Sequence, residues 1–212
     1  MRHHPVFETF HRTKCVGTGK HVFDFLGVAT NVSYKKGWAR FAHESGLEIS
    51  PKYPPVDEHY FDWIALLQSV RGASGTFRMA ELGAGWAPWL VRAVFAAAQV
   101  PAINKIELVG VEADSTHYQW LVDHFLDNDL NPEDYHLLHG AVSPVSEILK
   151  FPKISNPDEN YGASTRGVIE AAWRYRATLW RNSWGGFPAR LTSCTWTFRG
   201  PNTTWFLWLW GF

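Results

Sequence analysis

The sequence predicts an α/β fold built on a parallel β-sheet. Apolar runs that suit short buried strands alternate with segments whose apolar residues recur at helical spacing. Connections of this length between successive strands are right-handed crossovers, which place the strands parallel in the order 3-2-1. The prediction comprises strands at 77–82, 106–112 and 135–142, and helices near 57–70, 88–99 and 115–127.

Length and composition favour one domain with an extension. The chain has 212 residues, with 20 basic and 20 acidic side chains, so no net charge directs it towards nucleic acid or acidic lipid. Cys15 and Cys194 are too few for a disulfide framework and suit a reducing compartment. Neither a signal core nor a run of about 20 apolar residues occurs. We therefore expect a cytoplasmic protein without nucleic-acid or membrane partners, and the sequence leaves its oligomeric state open.

The first predicted helix follows an N-terminal extension, residues 1–55, that has little periodicity. The prolines of segment 50–55 indicate a linker. Asp57 suits the N-cap of the helix, and Tyr60 and Ile64 begin an apolar stripe that runs to about residue 70.

A glycine turn joins the first strand to the second helix. Gly83 and Gly85 follow the strand, and Pro88 suits the first turn of the helix, where its missing N–H is not needed. The second strand ends at Glu112, and Ser115 is the expected N-cap of the third helix. A short apolar piece at 148–151 follows the third strand.

Two carboxylates flank this turn and indicate a nucleoside pocket. In open parallel sheets a ligand lies beyond the carboxyl ends of the strands, where Glu81 and Glu112 both fall. Glycines let the backbone approach a ligand closely, and a carboxylate there can accept hydrogen bonds from ribose hydroxyls. The alternatives are a purely structural turn and a nicotinamide dinucleotide site, although the third glycine of the latter would fall at Pro88.

Residues 56–151 resemble the FkbM-type methyltransferases. The resemblance rests on four blocks in the same order and at similar spacing: PVDEHYFDWI at 55–64, ELGAG at 81–85, LVGVEAD at 108–114 and HGAVS at 139–143. It implies a Rossmann-like class I methyltransferase fold. It also implies methyl transfer from S-adenosylmethionine to hydroxyl oxygens of sugars or polyketide-type secondary metabolites.

The same resemblance assigns the cofactor site. Glu81, Gly83 and Gly85 would line the methionine–ribose part of S-adenosylmethionine, and Glu112 would hold the ribose diol. The stretch around Gly140 and Ala141 would lie near the adenine. With the adjoining Ala84 and Ala113, these residues form the predicted cofactor-binding set; no metal is expected, and no catalytic residue can be named.

The C-terminal third departs from the family. The family's His-x-Asp-x-Gln-Gly-x-Glu block is missing, and segment 191–206 has neither strand nor helix periodicity. If the reading frame is shifted so that each codon takes the last base of one codon and two of the next, residues 192–206 can become DLVHLDIQGPEYDVV, which contains that block.

We therefore interpret residues 165–212 as an anomalous, out-of-frame tail, and residues 56–164 as a partial methyltransferase domain. The sheet is then expected to be incomplete, with an unpaired edge at 77–82, an irregular tail and poor solubility. A truncated, non-catalytic remnant is the alternative function, and a nucleotide-binding oxidoreductase is a third.

The histidines do not have the spacing of a zinc site. His117 and His124 are seven residues apart, and His136 and His139 fall on opposite faces of a strand. A partly exposed structural role is expected for each of them.

Overall fold

The computed structural model describes the backbone of residues 2–143, 148–163, 172–176, 178–179, 196–200 and 203–209, and the side chains of residues 2–142 and 150–163. Among the described residues, no helix combines the length and apolar character that crossing a membrane requires.

The N-terminal extension forms short elements packed on the rest of the chain. Strand β1 (Cys15–Val16) pairs antiparallel with β4 (Glu48–Ile49), and β2 (His21–Phe23) pairs antiparallel with β3 (Ala29–Asn31). Short 3-10 helices lie at Pro5–Thr9, Val32–Tyr34 and Trp38–Phe41, and a further one follows later at Pro132–Asp134.

The three predicted helices are present, but two of their caps differ from expectation. They are α1 (Tyr60–Arg71), α2 (Pro88–Ala97) and α3 (Ser115–Leu126). Asp57 accepts a hydrogen bond from the His59 N–H at 3.0 Å and lies outside the first turn, because α1 begins only at Tyr60. Asp114, not Ser115, caps α3, because Asp114 has the extended backbone of an N-cap and accepts hydrogen bonds from two first-turn N–H groups.

The predicted parallel strands form the middle and one edge of the central sheet. They are β5 (Gly75–Leu82), β6 (Ile103–Glu112) and β7 (His136–His139). β6 pairs in parallel with both β5 and β7, which confirms the order 3-2-1 and the α/β class. The carboxyl ends of β5 and β6 consequently meet at one edge of the sheet.

The expectation of an unpaired first strand and an irregular tail is wrong for the described part of the tail. The sheet order is β12-β13-β5-β6-β7, with β13 (Thr203–Leu209) parallel to β5 and β12 (Trp196–Gly200) antiparallel to β13. Shorter pairs are formed by β8 (Val142–Ser143) with β11 (Thr178–Leu179), and by β9 (Ile148–Pro152) with β10 (Ala172–Arg176).

Two physical factors explain this difference. Thr, Trp and Phe all favour extended backbone, and the ladder is made by backbone groups that every non-proline residue supplies, so a strand can pair without alternating polar and apolar residues. Pro201, which has no N–H to donate within a sheet, falls outside β13, since that strand begins at Thr203. The reading-frame interpretation and the three-part division of the chain remain predictions. The pairing of β13 with β5 shows that part of the proposed out-of-frame segment joins the sheet.

The main core lies between the helices and the sheet. Trp89 of α2, Phe77 of β5 and Leu66 of α1 are almost completely buried there. Phe7 and Phe25 of the extension belong to the same cluster, so the extension completes this core. Burial of such side chains supplies the main stabilising free energy and holds α2 against the sheet.

Candidate functional site

The turn after β5 lies directly against the end of β6. Gly83 and Gly85 have positive φ angles of 71° and 56°, which residues with side chains rarely adopt, so glycine is strongly favoured at both positions. The N–H groups of Gly83 and Ala84 both donate to the carbonyl of Val111, at 2.9 Å each. These bonds fix the turn that leads from β5 into α2.

Glu112 ties this turn to the end of β6. Its Oε2 accepts a hydrogen bond from the Gly85 N–H at 2.8 Å, and its Oε1 accepts one from the Asp114 N–H at 2.7 Å. Burial raises the pKa of Glu112, whereas the hydrogen bonds from Asp114 and Gly85 lower it. The structure therefore brings Glu112 and the glycine turn together in one corner, as the sequence predicts.

Glu81 lies under the same corner and is fully buried. Its Oε2 accepts a hydrogen bond from the Leu90 N–H at 3.1 Å, but Oε1 has no hydrogen-bond partner among the described residues. Burial raises the pKa of Glu81 to about 8, so the carboxyl is mostly protonated at pH 7. A buried oxygen without a partner is costly, and a ligand group able to donate a hydrogen bond would relieve that cost.

Small apolar residues form the neighbouring part of the corner. Ala113 and Ala141 are buried and cluster with Phe151. Ala84 is also buried, within the turn itself. Ala113 follows Glu112 directly, so an apolar surface adjoins the carboxylate, which suits a ligand with both polar hydroxyls and a flat apolar ring.

Two of the histidines are buried, contrary to the expectation of partial exposure. His117 is 3% exposed and His124 is 0% exposed. The Nδ1 of His124 lies 2.8 Å from the Trp86 carbonyl, and because a carbonyl can only accept, Nδ1 is the donor. Burial lowers the pKa of His124 to about 4, so the ring is neutral at pH 7 and holds the segment just after the glycine turn.

The other two histidines belong to β7, where His139 is the strand partner of Glu112. His136 and His139 of β7 are exposed. Within the part of the chain that the structure describes, no three His, Cys, Asp or Glu residues lie close enough together to hold a metal ion.

Sequence reasoning missed three residues of the corner: Asp114, His124 and Tyr161. Asp114 could have been found, since Asp is as good an N-cap as Ser and directly follows the Glu112–Ala113 pair. His124 gave no signal, because its partner, Trp86, lies 38 residues away in the sequence. Tyr161 gave no signal either, because only the folded chain brings it to the corner. Its hydroxyl donates to the carbonyl of Tyr34, which is 127 positions away in the sequence.

Comparison with known proteins gives one partial similarity. The chain is 32% identical over 102 residues to a Jannaschia sp. (strain CCS1) protein described as "Putative methyltransferase". The aligned part is 48% of this chain and 36% of that protein, so the match spans about a third of the relative's length. No family model matches the chain, and no solved structure matches it.

Proposed function

We propose that this chain is an S-adenosylmethionine-dependent methyltransferase of the FkbM type. It would methylate a hydroxyl oxygen of a sugar or a polyketide-type secondary metabolite. The observation that carries the proposal is the corner in which the Gly83–Gly85 turn and the Glu112 carboxylate meet at the carboxyl edge of β5 and β6. Partial similarity to a protein described as a methyltransferase points to the same chemistry.

The residues present fit this cofactor. Glu81 offers a buried oxygen, Oε1, that lacks a partner among the described residues. The positive amino group of the methionine part would favour the ionised form of this carboxyl and donate to it. The two carboxylate oxygens of Glu112 accept from the N–H groups of Gly85 and Asp114, and because a carboxylate has about four acceptor positions, it could also accept from the ribose hydroxyls. The apolar surface of Ala113 and Ala141 suits the adenine ring.

The protein's part in the reaction would be placement. S-adenosylmethionine supplies a methyl group already activated by its sulfonium, so the enzyme must align an acceptor oxygen and exclude water. The corner formed by the buried Glu81 and Glu112 and the half-buried Gly85 would hold the cofactor in a fixed orientation. A base that takes the hydroxyl proton would be expected in the family's His-x-Asp-x-Gln-Gly-x-Glu block, which this sequence lacks.

The absence of that block supports a second proposal. The chain would be a non-catalytic remnant whose residues 165–212 are translated out of frame, and it would bind the cofactor without turning it over. A nucleotide-binding oxidoreductase is less favoured. Pro88, the first residue of α2, stands where a dinucleotide site would need its third glycine for close helix–strand packing.

Calorimetry with S-adenosylmethionine and with NAD tests the cofactor class. The proposal predicts one-to-one binding of S-adenosylmethionine and no binding of NAD, and the reverse result would overturn it. A methyl-transfer assay with a panel of hydroxylated sugars then separates the enzyme from the remnant: both bind the cofactor, but only the enzyme releases S-adenosylhomocysteine.

A further inference from the structure

Segment 156–163 crosses from the N-terminal extension to the start of α3 beside the corner. On the extension, the Lys36 N–H donates to the Asp158 carbonyl at 3.0 Å, and the Lys36 ammonium pairs with Glu159 at 2.6 Å. On α3, the Nε2 of His117 lies 2.8 Å from the Pro157 carbonyl, to which it must donate. The segment is therefore fixed at both sides of the corner.

Tyr161 is the residue of this segment that faces the corner. Its ring stacks on His117, with the centroids 4.5 Å apart and the planes 9° from parallel. Trp86 meets it edge-on at 4.9 Å. The hydroxyl donates to the backbone carbonyl of Tyr34. Because three contacts hold it, the ring has a defined position, and the side chain remains only half-buried.

The ring lies directly opposite the glycine turn. A methyl group added at Gly85 would lie 3.7 Å from Cδ1 and 3.8 Å from Cε1 of Tyr161. Burial raises the pKa of Tyr161, and the negative charges of Asp158 and Glu112 raise it further. Tyr161 thus borders the same space as the two groups that meet there, the Gly85 N–H and the Glu112 carboxylate.

We infer that the Tyr161 ring is a wall of the cofactor pocket and packs against the ribose whose hydroxyls Glu112 holds. This inference rests on the proposed function and assigns a binding residue that none of the sequence motifs contains. The ribose is the part of the cofactor that must lie beside both Gly85 and Glu112, and the ring edge that faces Gly85 is an apolar surface against which the ribose C–H groups can pack. A ring held by three contacts is suited to be a fixed wall, since little side-chain freedom is lost when the ligand binds.

Calorimetric titration of the 212-residue chain and its variants tests the inference. Tyr161→Ala should weaken the binding of S-adenosylmethionine by roughly three- to tenfold, a typical effect of losing one aromatic contact. S-adenosylhomocysteine has the same ribose but no sulfonium charge, so its affinity should fall by the same factor. Tyr161→Phe keeps the ring and should bind nearly as well as the wild type.

Two further variants keep the test interpretable. Tyr135→Ala is the matched control, because Tyr135 is also half-buried and packs on an aromatic ring, that of Phe125, at the opposite edge of the sheet. It should leave both affinities unchanged. If Tyr161→Ala does not fold, as judged by its thermal unfolding, Tyr161→Leu retains apolar bulk without a flat ring and should show a smaller loss of affinity.

Each remaining outcome contradicts the inference in a recognisable way. Unchanged or tighter binding by Tyr161→Ala would mean that the ring is not a wall or that it obstructs the pocket. A loss confined to S-adenosylmethionine would place the ring beside the sulfonium and not the ribose. If neither the wild type nor Tyr161→Ala binds either molecule, the proposed function itself fails.

Discussion

The free energy of unfolding of the wild type should fall as the pH rises, and replacing Glu81 with Gln should remove this part of the pH dependence. Burial raises the pKa of Glu81 from its ordinary 4.5 to about 8, so the folded chain holds this proton over a range in which the unfolded chain releases it. Between these two pH values the unfolded state binds fewer protons than the folded state. The free energy of unfolding therefore falls with rising pH, and the contribution that is complete below pH 4.5 is lost by about pH 8.

The size of the effect follows from the width of this interval. Each pH unit contributes about 1.4 kcal/mol, so the loss by pH 8 is on the order of 5 kcal/mol. Gln is neutral at every pH, and its amide oxygen can still accept the hydrogen bond that the Leu90 N–H donates to Glu81. Any cost of burying the Gln amide nitrogen is the same at every pH, so it shifts the variant's stability without changing the slope.

Urea unfolding of the wild type and Glu81→Gln at pH 5, 6, 7 and 8, followed by tryptophan fluorescence, measures this difference. Asp24 and His124, whose pKa values burial also shifts, are present in both proteins and cancel. The stability of Glu81→Gln relative to the wild type should rise by about 1.4 kcal/mol per pH unit. Parallel profiles would refute the reasoning, since they would mean that Glu81 ionises normally in the folded chain.

Three other perturbations have defined expectations. Asp114→Ala removes the cap that accepts from the N–H groups of Thr116 and His117 and should cost about 1 kcal/mol in urea unfolding; an unchanged midpoint would contradict the cap assignment. His124→Phe leaves the buried Trp86 carbonyl without its donor and should cost about 1–3 kcal/mol, whereas His124→Asn can still donate and should cost less; equal losses would contradict the role of that hydrogen bond. If the chain is the out-of-frame remnant of the second proposal, a gene with the reading frame restored before residue 191 should give methyl transfer that the 212-residue chain lacks, measured as release of S-adenosylhomocysteine, and equal turnover by the two products would contradict the frame-shift interpretation.

The central strands and helices could be predicted because their signals are local. The β5 turn and the start of α2 at Pro88 follow from residues adjacent in sequence, and the structure has them where the glycines and the proline require. The sequence predicts the residue at which a helix starts less well, because which of two neighbouring residues becomes the N-cap depends on their backbone angles. Asp114 and Ser115 are equally good caps by residue type, and only the extended backbone of Asp114 distinguishes them.

The rest of the corner depends on contacts between distant residues. Burial of His117 and His124 is tolerated because carbonyls from Pro157 and Trp86 accept their hydrogen bonds, which no periodicity reveals. The pairing of Thr203–Leu209 with β5 escaped prediction for a related reason. Alternation indicates a strand with one exposed face, whereas pairing itself uses backbone groups that every non-proline residue supplies.

The affinity of Glu112→Ala for S-adenosylmethionine, compared with that of Glu107→Ala, tests most directly whether the corner holds the cofactor. Both carboxylates belong to β6, but Glu107 pairs with Arg78 and Lys105 away from the glycine turn. Glu112→Ala should weaken binding in a calorimetric titration by about 1–3 kcal/mol, the cost of removing a charged hydrogen-bonding partner, and Glu107→Ala should bind like the wild type. Equal affinities in Glu112→Ala and Glu107→Ala would contradict the assignment of the cofactor to this corner.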